Sequence, residues 1–329
     1  MSNRYPFTAE ASASIGALGE VGLLREIARW LAPFPRVAHP APRGIGDDCA
    51  VLSNEHGAAQ RLVTTDSVIF SKHFDASVSP QDAGAKLIKR NASDIAAMGG
   101  VPSDAVLSLV MSRDVELAWL KNFYAGMAQA CDALGIELAG GDLASAPSGS
   151  PLFIATLALT GFCGEAPLLR TGAEAGDAIF VTGSLGGTIL NKHFAFEPRL
   201  AEGRFLASFP REKVRACMDI TDGLAKDLKA LIPAGMHAEF DWAAIPVSEA
   251  VQKLSGGNRE LALKHAFCDG EDYELVFCVA PDFEADFTAL WRERFPQTPL
   301  TRIGRIASGD APFPQFDGFG YEHFSCLRL

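Results

Sequence analysis

Residues 80–111 read PQDAGAKLIKRNASDIAAMGGVPSDAVLSLVM, and their order decides the fold class. Residues 80–98 contain a long helix, closed by the Gly99-Gly100 pair. Residues 105–111 (AVLSLVM) then read as a strand. Working upstream, residues 61–65 (RLVTT) form a short β-rich run that stops at Asp66. Before it, residues 43–52 are a Gly-rich turn running into a strand, and 20–31 (EVGLLREIARWL) have the apolar spacing of an amphipathic helix. Working downstream, a helix is expected over 115–134, ending at Gly135, then a strand at 136–139 leading into Gly140-Gly141-Asp142, and another at 152–162. Strands and helices in alternation argue for an α/β or α+β fold.

The pattern resumes after residue 164. A polar, Gly-rich passage at 169–177 leads to a strong strand at 178–182 and a Gly-rich turn at 183–188. Residues 191–210 are polar and are expected to be irregular in part. A helix is expected at 222–231 with Asp222 as its N-cap, a strand at 273–279, a helix at 283–295 and a last strand at 300–306. The 329 residues suit two domains at about 150 residues each, here 1–163 and 164–329. No short repeat is present, which argues against a solenoid.

Lys and Arg total 29 against 40 Asp and Glu, a formal net charge of −11, and 48% of the residues are hydrophobic. That is enough apolar material for one large core or two medium ones. Acidic balance without a basic cluster argues against a nucleic-acid partner. Seven cysteines at wide spacing, with no CxxC pair, form neither a zinc pattern nor a disulfide framework. Cys217 and Cys278 sit in apolar stretches and read as core residues. The first residues lack the apolar region of a signal peptide, and residues 152–162 are too short to span a bilayer, so a reducing cytoplasm and no membrane partner are expected. The sequon at Asn91 is then a chance match.

The informative feature is where the acids sit. Asp47 and Asp48 follow Gly-Ile-Gly, Asp66 ends a strand, and Asp94 shares a helix face with Asn91. Asp142 follows a Gly pair at a strand end, Asp219 and Asp222 flank Ile220-Thr221, and Glu271-Asp272 precede a strand. Carboxylates at strand ends beside glycine are where α/β folds build sites. Each taken singly reads more readily as a turn or capping residue. In one shared site they would repel one another unless cations neutralised them, and Mg²⁺ is the natural partner because it takes oxygen ligands and bridges to phosphates. The residues therefore point to a multi-Mg²⁺ phosphoryl-transfer site. No GxxxxGK[ST] loop, kinase HRD or DFG motif, GxSxG elbow or HExxH is present. The 183–187 turn could cradle phosphate through its N–H groups, and His73 reads on its own as a structural histidine.

Together the segments GIGDDCAVL (44–52), TTD (64–66) with HF (73–74), KLIKRNASDIAAMGG (86–100), GGD (140–142), MDITDGLAKDL (218–228), GEDYELVF (270–277) and GYEHF (320–324) resemble the thiamine-monophosphate kinase family. Its superfamily also holds aminoimidazole ribonucleotide synthase and selenophosphate synthetase. The resemblance spans nearly the whole chain in family order. It implies an α/β (α+β) fold of the aminoimidazole ribonucleotide synthase type. An N-terminal mixed-sheet domain forms a dimeric β-barrel, and a C-terminal α/β sandwich domain completes the site. It implies ATP- and Mg²⁺-dependent phosphorylation of thiamine monophosphate to thiamine diphosphate by a homodimer. Carried to matching positions, Asp48, Thr64, Thr65, Asp66, Asp94, Asp142, Asp219 and Asp222 are expected to hold Mg²⁺. Gly141, Asp142, Arg170 and Thr221 are expected to meet ATP, and His73, Glu271 and Tyr321 to meet thiamine monophosphate. On that basis His73 is a substrate residue rather than a structural one. No covalent or obligate base residue is implied, because the acceptor is a phosphate oxygen already ionised near neutral pH. The chain departs from the family pattern at Asp269, at 143–151 and at 188–194, near the expected substrate edges. The alternatives are another ATP-using enzyme of the superfamily, where the lack of a catalytic Cys or Sec near the N-terminus speaks against selenophosphate synthesis, and a non-catalytic nucleotide-binding scaffold.

Overall fold

A computed structural model describes residues 12, 17–31, 33, 47–52, 59–147, 151–164, 166–190, 192–309, 311, 320 and 321. The Gly44-Ile45-Gly46 turn and residues 322–324 lie outside them, as do residues 148–150 and 191. After α1 (Gly19–Leu31), the first half folds as β1 (Ala50–Leu52), β2 (Gln60–Ile69), α2 (Pro80–Ala97), β3 (Val101–Met111), α3 (Leu117–Leu134), β4 (Glu137–Ser145) and β5 (Phe153–Cys163). The strands form one sheet in the order β1-β2-β5-β3-β4. Only β3 and β4 are parallel, so the sheet is mixed.

The second half contains β6 (Ala178–Thr182), α4 (Lys192–Ala195), α5 (Leu200–Ala207), β7 (Val214–Asp219), α6 (Leu224–Asp227) and β8 (Met236–Phe240). It continues through α7 (Glu249–Ser255), α8 (Arg259–Cys268), β9 (Leu275–Val279), α9 (Glu284–Arg294) and β10 (Leu300–Ser308). Its sheet has the order β7-β9-β6-β10-β8, with every neighbouring pair antiparallel. Ile179 and Val181 face a core with Leu224 and Phe267, while Phe180 and Phe277 face another with Phe287 and Trp291. A sheet buried on both faces explains why β6 and β9 read as unbroken apolar runs. The architecture is a mixed α+β fold with two sheets, neither of them closed.

Helix α2 is the element on which both halves meet. Ser79 caps it by accepting the Asp82 N–H at 3.1 Å, and Pro80 suits its first turn. Gly99, at φ +70°, turns the chain out of it. One side packs on β2, β5 and α3, and another on α4, α5 and β7. Close approach requires glycine here. A Cβ on Gly84 would lie 2.1 Å from the Phe123 oxygen, one on Gly126 1.9 Å from the Gln81 oxygen, and one on Gly203 2.0 Å from the Ala96 oxygen.

Several expectations need correction. The strand expected to stop at Asp66 runs on to Ile69, because residues 67–69 pair with 154–156 and Arg90 neutralises Asp66. Gly141 and Asp142 lie inside β4 rather than at a strand end, paired with Leu107 and Ser108. Asp222 is not an N-cap: the helix starts at Leu224 after Gly223, at φ +104°. Its own Asp227 carboxylate accepts the N–H groups of Thr221 and Asp222 at 2.8 and 2.9 Å, satisfying that turn from within. Part of 191–210 forms α4 and α5. Strands β7 and β8 and helices α7 and α8 were not anticipated.

Candidate functional site

Three segments deliver carboxylates to one point. Asp48 stands just before β1, Asp94 on the last turn of α2, and Asp219 at the end of β7. Their ligand oxygens all lie within 4.8 Å of one another. Thr64, on the helix-facing side of β2, donates its hydroxyl to Asp94 at 2.5 Å, and Ser93 donates to Asp219 at 2.5 Å. Burial, and then the charge of Asp219, push Asp94 well above the usual carboxylate range; burial and the charge of Asp48 do the same to Asp219. Asp47 is pushed to about 6, chiefly by burial and then by Asp48.

The donor set fits a divalent cation. Asp48 Oδ1 accepts from the Arg170 guanidinium at 2.6 Å, but its Oδ2 is buried without a hydrogen-bond partner. Two oxygens on one Mg²⁺ at about 2.1 Å stand no more than about 4.2 Å apart. The three carboxylates, all within 4.8 Å of one another, are close enough to converge on one such ion through side-chain adjustment. Hard carboxylate oxygens in mutual repulsion are what Mg²⁺ neutralises.

Around the triad lie the other expected residues. Asp66 accepts from Arg90 Nε at 2.7 Å, and its charge adds to the rise at Asp94, so it belongs to the same neighbourhood. Thr65 is one residue out of phase, on the opposite face of β2, donating to the Leu157 oxygen at 2.9 Å. Gly141 and Asp142 are not brought to the triad. They sit on the exposed edge strand β4, three strand spacings (about 14 Å) from β2. Asp142 shares the outer sheet face with Ser108 and Thr156. Gly141 is required there, because a Cβ would lie 1.9 Å from the Leu107 oxygen.

The Thr221-Asp222 turn is laid against residues 270–273. Glu271 N–H donates to the Thr221 oxygen at 2.7 Å and Tyr273 N–H to the Ile220 oxygen at 2.9 Å. Glu271 and Tyr273 hold φ of +54° and +52°, a conformation costly for side chains with a Cβ. Asp222 accepts from Lys226 Nζ at 2.7 Å and its backbone oxygen accepts the Tyr321 N–H at 2.9 Å. Lys72 stands 5.4 Å over the Tyr321 ring, next to His73. His73 Nδ1 accepts the Ile69 N–H at 3.0 Å, which puts the ring proton on Nε2. The 183–187 turn does not present its N–H groups for a phosphate. Gly186 N–H donates to Asp272 at 2.8 Å and Gly187 N–H to Asp269 at 2.7 Å.

Ser93, Arg90, Lys86 and His193 were missed by sequence reasoning. Residues 86, 90, 93 and 94 recur at helical spacing on one face of α2, but only their tertiary partners show that face to be a site. Asn91, read as sharing that face, instead turns back to donate to the Leu87 oxygen at 2.8 Å. Cys217 and Cys278 are buried in the core as expected, and the described cysteines are free thiols. Among the described residues no helix is long and apolar enough to cross a membrane.

Comparison with known proteins places the fold and family of the chain. The models described as AIR synthase related protein, N-terminal domain, and AIR synthase related protein, C-terminal domain, match residues 46–163 and 174–316. A thiamine-monophosphate kinase of Rhodopirellula baltica is 36% identical over 80% of this chain and 83% of its own. One of Escherichia coli K12 is 31% identical over 94% of this chain and 99% of its own. A solved structure described as AaThiL complexed with AMPPCP and TMP superposes with a TM-score of 0.75 at 27% identity, covering 95% of this chain and 100% of that one.

Proposed function

Because the chain belongs to the thiamine-monophosphate kinase family, we propose that it transfers the terminal phosphoryl group of ATP to thiamine monophosphate, giving thiamine diphosphate. The observation that carries this reading is the convergence of Asp48, Asp94 and Asp219 from both halves of the chain on one point. ATP and thiamine monophosphate are the substrates. Mg²⁺ is the metal, and Asp48, Asp94 and Asp219 would hold it, with Asp66, Thr64 and Asp222 nearby; Thr65 and Asp142, on the other sheet face, stand apart from this ion. Bound there, it supplies charge neutralisation for two polyanions. Residues 1–163 act as the metal-binding and dimerisation domain, and residues 164–329 complete the nucleotide and substrate site. The protein works in the cytoplasm.

Transfer is direct and in line, without a covalent enzyme intermediate. The acceptor oxygen is already ionised, so positioning and electrostatics supply the rate rather than a strong base. Arg170, fixed by Asp48, is placed for phosphate charge. Arg90 holds Asp66 on the α2 side of the sheet. Thr221 offers its hydroxyl to the nucleotide with its N–H anchored by Asp227. Glu271, His73 and Tyr321 bind the thiamine end; Gly141 and Asp142, on the far edge strand, stand away from the metal cluster.

The site is completed in a homodimer. The outer face of the first sheet supports this reading: Val101, Val106 and Phe162 are exposed, and pairing two such faces would close a barrel and cover Asp142. The deciding experiment is Mg²⁺-dependent formation of thiamine diphosphate from ATP and thiamine monophosphate by the purified protein. ATP binding without turnover of that acceptor overturns the reading.

A further inference from the structure

Lys86 is a buried cation that neither the metal cluster nor the nucleotide contacts use. Its side chain is 0% exposed, while Glu271, its ion-pair partner, is 31% exposed. The ammonium lies 2.6 Å from Glu271 Oε1, donates to the His73 backbone oxygen at 2.8 Å, and sits 3.1 Å from His193 Nδ1. His193 is also 3.8 Å from Glu271 Oε2, and the Tyr273 hydroxyl donates to Oε1 at 3.4 Å. One side chain on α2 thus ties together the turn after β2, helix α4 and the 270–273 turn.

Burying an ammonium is costly, and an apolar side chain of similar length would pack more cheaply. What Lys86 gives that a methionine cannot is a fixed carboxylate. Its contact takes Glu271 Oε1, and the carboxylate still keeps 31% of its side chain exposed. Glu271 also stands on a left-handed backbone, at φ +54°. That turn is anchored at the backbone by Thr221 and Ile220, and Lys86 fixes where its side chain points. Of the three residues that Lys86 contacts, His73 and Glu271 are the two proposed above to meet thiamine monophosphate.

We propose that Lys86 is the positioning residue of the acceptor end of the site, aiming Glu271 and the His73 turn at the thiamine moiety, with His193 as its second anchor. This rests on the thiamine monophosphate reading above. His193 lies where the chain departs from the family pattern, so that part of the arrangement is a property of this chain.

The test measures equilibrium binding of thiamine monophosphate and of ATP alongside steady-state kinetics, in the full chain with Mg²⁺. Lys86→Met is expected to raise KM and Kd for thiamine monophosphate by about 10-fold or more, leave KM for ATP within about twofold, and lower kcat less than it raises KM. Lys86→Arg should recover part of the loss. Combined with Glu271→Gln, Lys86→Met should add no more than about twofold to the worse single variant, because both remove one unit. Independent, multiplying penalties overturn the proposal, as does an unchanged KM for thiamine monophosphate in folded Lys86→Met. Should Lys86→Met fail to fold, His193→Phe takes its place, with about a 3-fold rise in the same KM and the same non-additivity expected; an unchanged KM there overturns the proposal. Wild-type protein that binds no thiamine monophosphate overturns the functional reading together with this one, whereas normal wild-type turnover with insensitive variants overturns positioning alone.

Discussion

Asp94 and Asp219 hold their protons far more tightly than ordinary carboxylates because each is buried beside other acids. A cation that displaces those protons turns repulsion into binding. Asp94→Asn or Asp219→Asn should therefore cut turnover by about 100-fold or more, while the metal-free variant melts no lower than wild type, since a neutral amide replaces a carboxyl whose ionised form burial disfavours. A coupled assay with a thermal melt separates the two effects; near-normal turnover would remove these residues from the metal site. The Lys86 variants belong to the same scale. These acids were visible in the sequence, because carboxylates beside glycine are conspicuous. Ser93 and Lys86 were not, because a serine and a lysine within a helix read as ordinary solvated or packing residues until tertiary contact gives them partners.

At the scale of elements, α2 and α3 cross so closely that backbone meets backbone at Gly84 and Gly126. Gly84→Ala or Gly126→Ala should destabilise the fold by about 1–3 kcal/mol through overpacking, read by urea denaturation. Gly164→Ala, with open space around it, should cost little. Helices α2 and α3 and strands β5, β6 and β10 were legible because their apolar periodicity and glycine boundaries agree with their burial. Strands β7 and β8 and helices α7 and α8 escaped. β7 carries Arg215 and ends in Asp219, charges stabilised only by tertiary partners. The residues of α7 and α8 are mixed and depend on Ser248 and Asn258 caps that look like loop residues. Position 222 misled because aspartate favours helix starts, whereas here the cap is supplied from inside the turn by Asp227.

Across the whole molecule, the buried acids set the response to pH. Folding raises Asp47 to about 6, Asp272 to about 7 and Asp227 to about 8, from 3.8 in each case, with burial the leading cause. The native state then holds more protons than the unfolded chain between about pH 4 and pH 8, so metal-free stability falls as pH rises through that window. Mg²⁺ favours the ionised cluster, and the gain in melting temperature on adding it should grow from about pH 5 to pH 8. A gain that shrinks with pH would contradict the cluster as a metal site. At the same scale, Val106→Glu on the outer sheet face should convert the proposed dimer to a monomer, read by sedimentation; an unchanged assembly would place the interface elsewhere. Helix α2 has one more consequence. Lys86 and Asp94 stand 94 − 86 = 8 residues apart on it, about 12 Å of axial rise at 1.5 Å per residue. On the reading proposed above, a rigid rod rather than a loop sets the gap between the acceptor's ring end and its phosphate end. Such a rod would measure its substrate: an analogue with a longer or shorter tether between ring and phosphate should fail to satisfy both ends and be turned over poorly.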